Sequence, residues 1–215
     1  MKSNFKKIIQ IVKFEFKYMY LRFLPKYKYE SFLKKEYKKR VGEDLNIKKP
    51  EKYTEKIQYA KLYLNSPLKS DLSDKYKVRE WVEEKIGSEY LIPLLGVWDK
   101  FSDINFEKLP SKFVLKMNNG SATNIVVKDK EKLDYFKAKI KFMLWMNRNF
   151  AFDGDIQPHY ADIHPKIIAE KYMEDSTGGL ADYKFLCFNG EVYYCWVDVG
   201  RFDKHYRNVY DLNNK

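Results

Sequence analysis

The stretch from Leu109 to Val127 joins one lysine to a loop of small polar residues. An apolar run at residues 113–115 leads to Lys116, the loop follows at residues 118–124, and a β-branched run at residues 125–127 returns the chain. Small residues let backbone N–H groups approach an anion closely, and a nearby lysine supplies a point charge. The spacing predicts a hairpin whose tip binds phosphate. An ordinary hairpin with a solvated lysine stays the alternative, because short motifs also arise by chance.

Other side chains suited to chemistry are sparse. Asp153-Gly154-Asp155 is the one literal Asp-X-Asp sequence, a pattern with which nucleotide-sugar enzymes hold a metal ion. Cys187 and Cys195 lack zinc-site spacing, and three scattered histidines do not complete such a site. Reduced thiols of a cytoplasmic protein are therefore expected. The sequence contains no Ser-His-Asp or Cys-His arrangement that would indicate nucleophilic catalysis.

The composition predicts a globular chain with one basic segment. The 215 residues are 45% hydrophobic and 17% aromatic, which is too apolar for a disordered chain. No stretch approaches the roughly 20 apolar residues of a membrane-spanning helix, and the N-terminus does not resemble a secretory signal. Residues 1–40 hold thirteen Lys and Arg against three Glu, an excess of ten within the net charge of +11. This concentration argues against a generally basic surface, so no nucleic-acid partner is expected.

The basic segment is predicted to form two helices. The first ends near Pro25, and the second extends from Ser31 to Val41 and stops at Gly42. A basic amphipathic helix with aromatic residues can lie on an anionic membrane surface, so residues 1–40 are a possible membrane contact. Packing on the core with a solvated basic face is the alternative. The apolar residues of the first helix follow helical spacing: Phe5, Ile8, Ile9, Val12, Phe16, Met19, Tyr20 and Phe23.

The rest of the chain mixes helices with antiparallel hairpins, which predicts a two-layered α+β architecture. In the last hairpin, around Asn189-Gly190, Asp182 and Lys184 share one strand face. The opposite face, with Phe185, Tyr194 and Trp196, is expected to be core. Helices are predicted at 54–65, 71–86 and 133–147, with Pro67 closing the region between the first two, and strands at 91–98, 113–116, 125–127, 166–172, 182–188 and 191–199.

Five sequence blocks in fixed order resemble the ATP-grasp proteins of the teichuronopeptide-biosynthesis (TupA-like) family. The resemblance covers roughly residues 50–210. It implies a two-lobed α+β ATP-grasp-like fold with a helical N-terminal segment. The implied divisions are a basic helical segment at 1–45, a helical region at 46–98 and the ATP-grasp core at 99–215. The blocks are DKYKVREWV (74–82), YLIPLLGVWD (90–99), LPSKFVLKMNNGSATN (109–124), KIIAEKYM (166–173) and DYKFLCFNGEVYY (182–194).

The resemblance also implies a role for individual residues. ATP-grasp folds bind ATP between two lobes, and two lysines and a glycine-rich flap hold its phosphates. Lys75 and Lys116 match those lysines, while Arg201 and Lys184 are implied as catalytic polar groups. The remaining implied contacts are the flap residues Asn119, Gly120 and Ser121, the adenine-strand residues Glu170, Lys171 and Met173, and Asp182 near the ribose.

The implied chemistry is ATP-dependent ligation of a carboxylate to an amine through an acylphosphate, with magnesium, in the assembly of cell-surface polysaccharide or teichuronopeptide. The acceptor would be a polysaccharide or a peptide-type molecule. Asn119 replaces the family's flap histidine, and Ala122 replaces its second flap glycine. The family continues beyond the position of Lys215 into strands whose carboxylates hold magnesium, which implies an incomplete C-terminal lobe. We therefore expect weak ATP binding with little magnesium dependence and no turnover.

Two further functions stay open. One is a glycosyltransferase of polysaccharide biosynthesis, for which Asp153-Gly154-Asp155 would be the metal motif. The other is a non-catalytic nucleotide-binding module. The expected location is the cytoplasm, with peripheral binding at the inner face of the membrane through the basic segment.

Overall fold

The computed structural model of the chain describes residues 2–174, 180–200 and 205–211. The chain divides into two units, Met1–Lys171 and Tyr172–Lys215. Helices and antiparallel sheets are combined, so the predicted α+β class is confirmed. The sequence-based divisions at residues 45/46 and 98/99 stay predictions.

The first unit contains six α-helices and a four-stranded sheet. The strand order is β1-β4-β2-β3, and every neighbouring pair is antiparallel. The helices are α1 (Lys2–Arg22), α2 (Tyr29–Val41), α3 (Tyr53–Tyr63), α4 (Pro67–Ser73), α5 (Val78–Ile86) and α6 (Tyr135–Met146). The strands are β1 (Leu94–Trp98), β2 (Phe113–Met117), β3 (Asn124–Val127) and β4 (Ile167–Lys171).

Strict alternation along β2 separates the core from the opposite face of the sheet. Phe113, Leu115 and Met117 are fully buried and pack with Phe142 of α6. Val114 and Lys116 therefore lie on the other face, because successive strand side chains point to opposite sides. Lys116 pairs in register with Ile168 of β4, so Glu170, two residues further along β4, lies on the same face.

A second cluster of buried residues holds the N-terminal helices together. Leu21 of α1 and Leu33 and Tyr37 of α2 pack with Ile47 and Ile156. None of the described helices, including the 21-residue α1, is long and apolar enough to cross a membrane.

The helix predicted at 71–86 is wrong, because the structure contains two helices with a break at Asp74. The Asp74 carboxylate accepts hydrogen bonds from the backbone N–H groups of Tyr76 (2.8 Å) and Lys77 (3.3 Å). Such local side-chain bonds compete with continuation of a helix. Pro67 likewise begins α4 instead of closing the region, with Ser66 as the N-cap. The break places Lys75 in a turn.

The second unit is an antiparallel sheet of β5 (Asp182–Phe188), β6 (Glu191–Val199) and β7 (Tyr206–Asp211), in that order. The predicted hairpin turn is present, and both Asn189 (φ 50°) and Gly190 (φ 84°) are left-handed. A two-residue turn of this kind matches the twist of its strands.

The prediction of a core face with Phe185, Tyr194 and Trp196 is wrong. Trp196 pairs with Lys184, so it shares the face of that lysine, whereas Phe185 lies on the other face and is 59% exposed. A register shift between Leu186 and Cys187 interrupts the simple alternation from which the faces were predicted.

Candidate functional site

A carboxylate and two cations meet on the face of the first sheet that lies opposite the core. Lys116 Nζ lies 2.5 Å from Glu170 Oε2, and Arg79 Nη1 of α5 lies 3.4 Å from the other oxygen of that carboxylate. Glu170 is only 6% exposed. Because a buried carboxylate is costly without partners, the two cations account for its presence in β4.

Lys75 approaches the same region from the turn between α4 and α5. Its backbone N–H donates to the carbonyl of Asn118 at 3.0 Å. Its Nζ donates to the carbonyl of Gly120 and, at 3.4 Å, to that of Asn118. Burial, with a smaller contribution from the positive charge of Lys116, lowers the pKa of Lys75. Among the described residues, no carboxylate forms an ion pair with this lysine.

The loop after β2 is closed at its base and fixed to the segment that leads into β4. The Met117 N–H donates to the Thr123 carbonyl at 3.0 Å. The Asn118 side chain accepts from the Lys166 N–H at 2.7 Å and donates to the His164 carbonyl at 2.9 Å. This bridge holds the start of the loop in place, so the Asn118 carbonyl that contacts Lys75 is fixed as well.

Gly120 lies directly against an aromatic ring. A Cβ at this position would come within 2.7 Å of the Phe150 ring. Such a distance is a steric overlap, so only glycine fits while Phe150 keeps its place. The loop therefore follows the surface of that ring.

Comparison with known protein families identifies the family of this chain. The model of the family described as TupA-like ATPgrasp matches residues 55–215. The chain belongs to the TupA-like ATP-grasp family. The resemblance predicted from the five blocks and the ATP-grasp-like fold are thereby confirmed. No curated protein and no solved structure matches the chain.

Membership makes the chain a nucleotide-binding protein of the ATP-grasp type. The TupA-like match includes both lysines, the loop and all seven strands of the described residues, whereas α1 and α2 lie outside it. The family match does not identify the substrate or the reaction.

The loop departs from the TupA-like pattern at two positions, and the local structure is unusual at both. Asn119, in place of the usual histidine, is buried, and its Oδ1 has no hydrogen-bond partner among the described residues. Ala122, in place of a glycine, adopts a left-handed φ of 57°. Left-handed backbone is unfavourable for a residue with a Cβ atom.

Replacing Ala122 with glycine should therefore stabilise the fold. The expected gain in unfolding free energy is at most about 1 kcal/mol, because glycine removes the left-handed penalty but gains freedom in the unfolded chain. Urea unfolding of the two proteins measures it. Ser121→Gly, in the same loop, is the control, and an equal gain there would contradict the left-handed conformation as the cause.

Sequence reasoning missed two residues of this region. Arg79 contacts both Glu170 and the carbonyl of Ile92, the latter at 2.7 Å. Asn118 forms the bridge at the loop base. Both residues lie inside the sequence blocks. Arg79 follows Lys75 by four residues, and in the helix predicted at 71–86 this interval places two side chains on the same helix face, which could have suggested a role for Arg79.

The predicted site residues do not all gather in one place. The structure brings together Lys75, Lys116, Gly120 and Glu170, with Asn119 and the exposed Ser121 in the same loop.

The other predicted site residues lie elsewhere. The Lys171 side chain lies on the opposite face of β4 from Glu170 and is exposed. Met173, Asp182 and Lys184 belong to the second unit, and Arg201 lies outside the described residues.

A compact ionic cluster surrounds Asp198 in the second unit. Lys184 Nζ lies 2.7 Å from Asp198 and 2.5 Å from Asp182, and Arg207 and His205 contact Asp198 at 2.6 and 3.2 Å. Hydrogen bonds from Arg207 and Lys184 hold the pKa of Asp198 well below its usual range. Hydrogen bonds to Asp182 and Asp198 raise the pKa of Lys184. Lys184 is therefore held as a cation by two carboxylates.

The carboxylates of Asp153 and Asp155 each form an ion pair with a basic side chain of the protein. Asp153 accepts from Arg148 Nε at 2.6 Å, and Asp155 lies 2.8 Å from Lys61 Nζ. No group of three His, Cys, Asp or Glu within the described ranges could hold a metal ion. The sole Asp-X-Asp sequence thus joins two separate ion pairs.

Proposed function

We propose that the chain binds ATP, with its phosphates at Lys75, Lys116 and the loop of residues 118–123. One observation carries this proposal. Two lysines from distant parts of the sequence converge beside a loop of small residues, and one of them, Lys75, contacts backbone carbonyls but forms an ion pair with no carboxylate of the described residues.

The charges in this region favour an anionic ligand. Lys75, Lys116 and Arg79 supply three positive charges, whereas Glu170 and Asp74 supply two buried negative charges, and Glu170 contacts Lys116 and Arg79. On binding, Lys75 would exchange its contacts to the carbonyls of Gly120 and Asn118 for bonds to phosphate, in which donor and acceptor are both charged. The excess positive charge is what a polyphosphate would neutralise.

Following the pattern of the family, we place the nucleoside of the proposed ATP at the end of β4. Glu170, Lys171 and Met173 are proposed for the adenine, with backbone groups as the contacts at Lys171. Asp182 is proposed for the ribose. Because the Lys171 side chain is on the far face of the strand, its backbone is the part available to the base.

For the reaction we propose ligation of a carboxylate to an amine. The carboxylate oxygen would attack the γ-phosphorus and release ADP, and the amine would then attack the acylphosphate carbon and release phosphate. The protein would position the reactants and neutralise charge, and Lys184 and Arg201 are proposed for this role in addition to the two phosphate lysines. The proposed acceptor is a polysaccharide or peptide-type molecule of the cell surface, modified on the cytoplasmic side where ATP is available.

Magnesium is not assigned to residues. The described part of the chain offers no carboxylate cluster for it, and Asp198 is already bound by Lys184 and Arg207. No step is therefore derived through a metal ion. The glycosyltransferase alternative finds no support either, since Asp153 and Asp155 are paired with Arg148 and Lys61.

Calorimetric titration of the purified chain with ATP and, separately, with a UDP-sugar tests the proposal. Binding of ATP with no binding of the UDP-sugar is the expected result. Preference for the UDP-sugar would overturn it. The titration is run with and without magnesium, and ADP release is followed alongside. Robust magnesium-dependent ADP release would contradict the expectation of weak binding without turnover.

A further inference from the structure

Helix α1 carries two apolar faces, and only one of them packs on the protein. Leu21 is fully buried, and the Tyr18 hydroxyl accepts a hydrogen bond from the Asn149 N–H at 3.1 Å. Leu21 lies nine residues after Val12, which is about 180° around the helix. The second apolar face is therefore directed away from the body of the first unit.

The outward face is a continuous series of large side chains at intervals of three and four residues. This spacing keeps them on one side of a helix. A helix that only needed to pack would carry polar residues there. We call this series the α1 ridge. Its members with their exposed fractions are Ile8 (57%), Val12 (46%), Phe16 (74%) and Met19 (48%) of α1, and Phe23 (73%), which directly follows the helix and donates its N–H to the Met19 carbonyl at 3.3 Å.

The surroundings of the α1 ridge are positively charged because the nearby acidic side chains are already paired. Glu15 contacts Arg148 at 3.0 Å, Glu30 contacts Lys34 at 2.6 Å, and Glu36 contacts Lys17 at 2.7 Å. These are all the acidic residues of the first 40. Five exposed lysines of this segment form no ion pair with a described carboxylate: Lys13, Lys26, Lys28, Lys35 and Lys39.

Helix α2 brings part of this charge alongside α1. Besides the Lys17–Glu36 pair, the rings of Tyr20 and Phe32 lie 6.3 Å apart. Lys35 and Lys39 of α2 are thus held close to the helix that carries the apolar ridge. An apolar ridge bordered by cations is complementary to lipid tails beneath anionic headgroups.

We propose that the α1 ridge binds the surface of an anionic bilayer, with the helix lying in the plane of the interface. Phe16 and Phe23 enter the acyl region, and Lys13 and Lys26 contact headgroup phosphates. This goes beyond nucleotide binding and does not depend on it, since none of these residues lies in the loop or beside Lys75.

Co-sedimentation with vesicles tests the proposal. The full chain is mixed at low salt with vesicles of phosphatidylcholine alone or of equal parts phosphatidylcholine and phosphatidylglycerol. Binding to the mixed vesicles is expected, with at least about tenfold weaker binding to the neutral ones. The double variant Phe16→Ser/Phe23→Ser should bind the mixed vesicles at least about tenfold more weakly.

Matched variants separate the ridge from general effects. Tyr53→Ser/Tyr90→Ser removes two other aromatic rings of similar exposure and should bind like the wild type. Lys13→Gln/Lys26→Gln should lose about fivefold per charge. Point variants are preferred to deletion of α1, because deletion would also remove Tyr18 and Leu21 from the packed face.

Three outcomes would overturn the proposal. The full chain could ignore anionic vesicles at low salt, or the Phe16→Ser/Phe23→Ser variant could bind them like the wild type. Alternatively, light scattering could find a dimer that this variant dissociates without any vesicle binding, in which case a second copy of the chain covers the ridge.

Discussion

Replacing Lys116 with alanine should weaken ATP binding about ten- to a hundredfold, the largest functional effect expected of a single residue here. A charge-assisted contact to phosphate contributes about 1.5–3 kcal/mol. The variant also leaves the buried Glu170 carboxylate with Arg79 as its remaining ionic partner, at 3.4 Å. Its negative charge would then oppose the phosphates. Calorimetric titration with ATP measures the change.

Lys128→Ala is the matched control, because this exposed lysine follows β3 outside the loop. It should leave the ATP affinity almost unchanged. The double variant Lys116→Ala/Glu170→Gln should recover part of the lost affinity by removing the opposing charge. Equal ATP affinity of the wild type and a folded Lys116→Ala protein would count against the assignment of this lysine to phosphate.

Replacing Gly120 with alanine should destabilise the fold and weaken nucleotide binding together. The new methyl group would overlap the Phe150 ring, and overpacking of this kind typically costs about 1–3 kcal/mol. Because the Gly120 carbonyl contacts Lys75, displacement of the loop also disturbs that lysine. Urea unfolding and ATP titration of the same protein measure the two effects.

A second substitution identifies the ring as the cause. Phe150→Leu makes room beside Gly120, so the combined variant should lose less stability than the sum of the two single changes, by about 0.5–3 kcal/mol. Ser121→Ala, at the exposed neighbouring position, should change stability by less than about 0.5 kcal/mol. Strict additivity of Gly120→Ala and Phe150→Leu would exclude the proposed overlap.

The part of the site that could be predicted from sequence is the part encoded locally. Lys116 and its loop follow from a continuous apolar run, a cluster of small polar residues and a second, β-branched run, all within 19 residues. Alternation alone places Lys116 opposite the side chains of Phe113 and Leu115. The hairpin at Asn189-Gly190 follows in the same way from the needs of a tight turn.

The rest depends on contacts that no local pattern contains. The break at Asp74 arises because its carboxylate satisfies two backbone N–H groups, and helical spacing gives no sign of it. The meeting of Glu170 with Lys116 and Arg79 requires the β2–β4 register and the placement of α5. The face of Phe185 was mispredicted because one register shift reverses the alternation beyond it.

The prior engagement of the phosphate lysines has a consequence for ligand choice. In the free protein Lys116 is already neutralised by Glu170, and Lys75 is already held by two carbonyls. A ligand gains only the difference between its own contacts and these internal ones. A single phosphate ion can replace few of them, whereas a triphosphate engages both lysines and the loop at once. On the proposed assignment of the phosphates, these internal partners should select against inorganic phosphate and in favour of a nucleoside triphosphate.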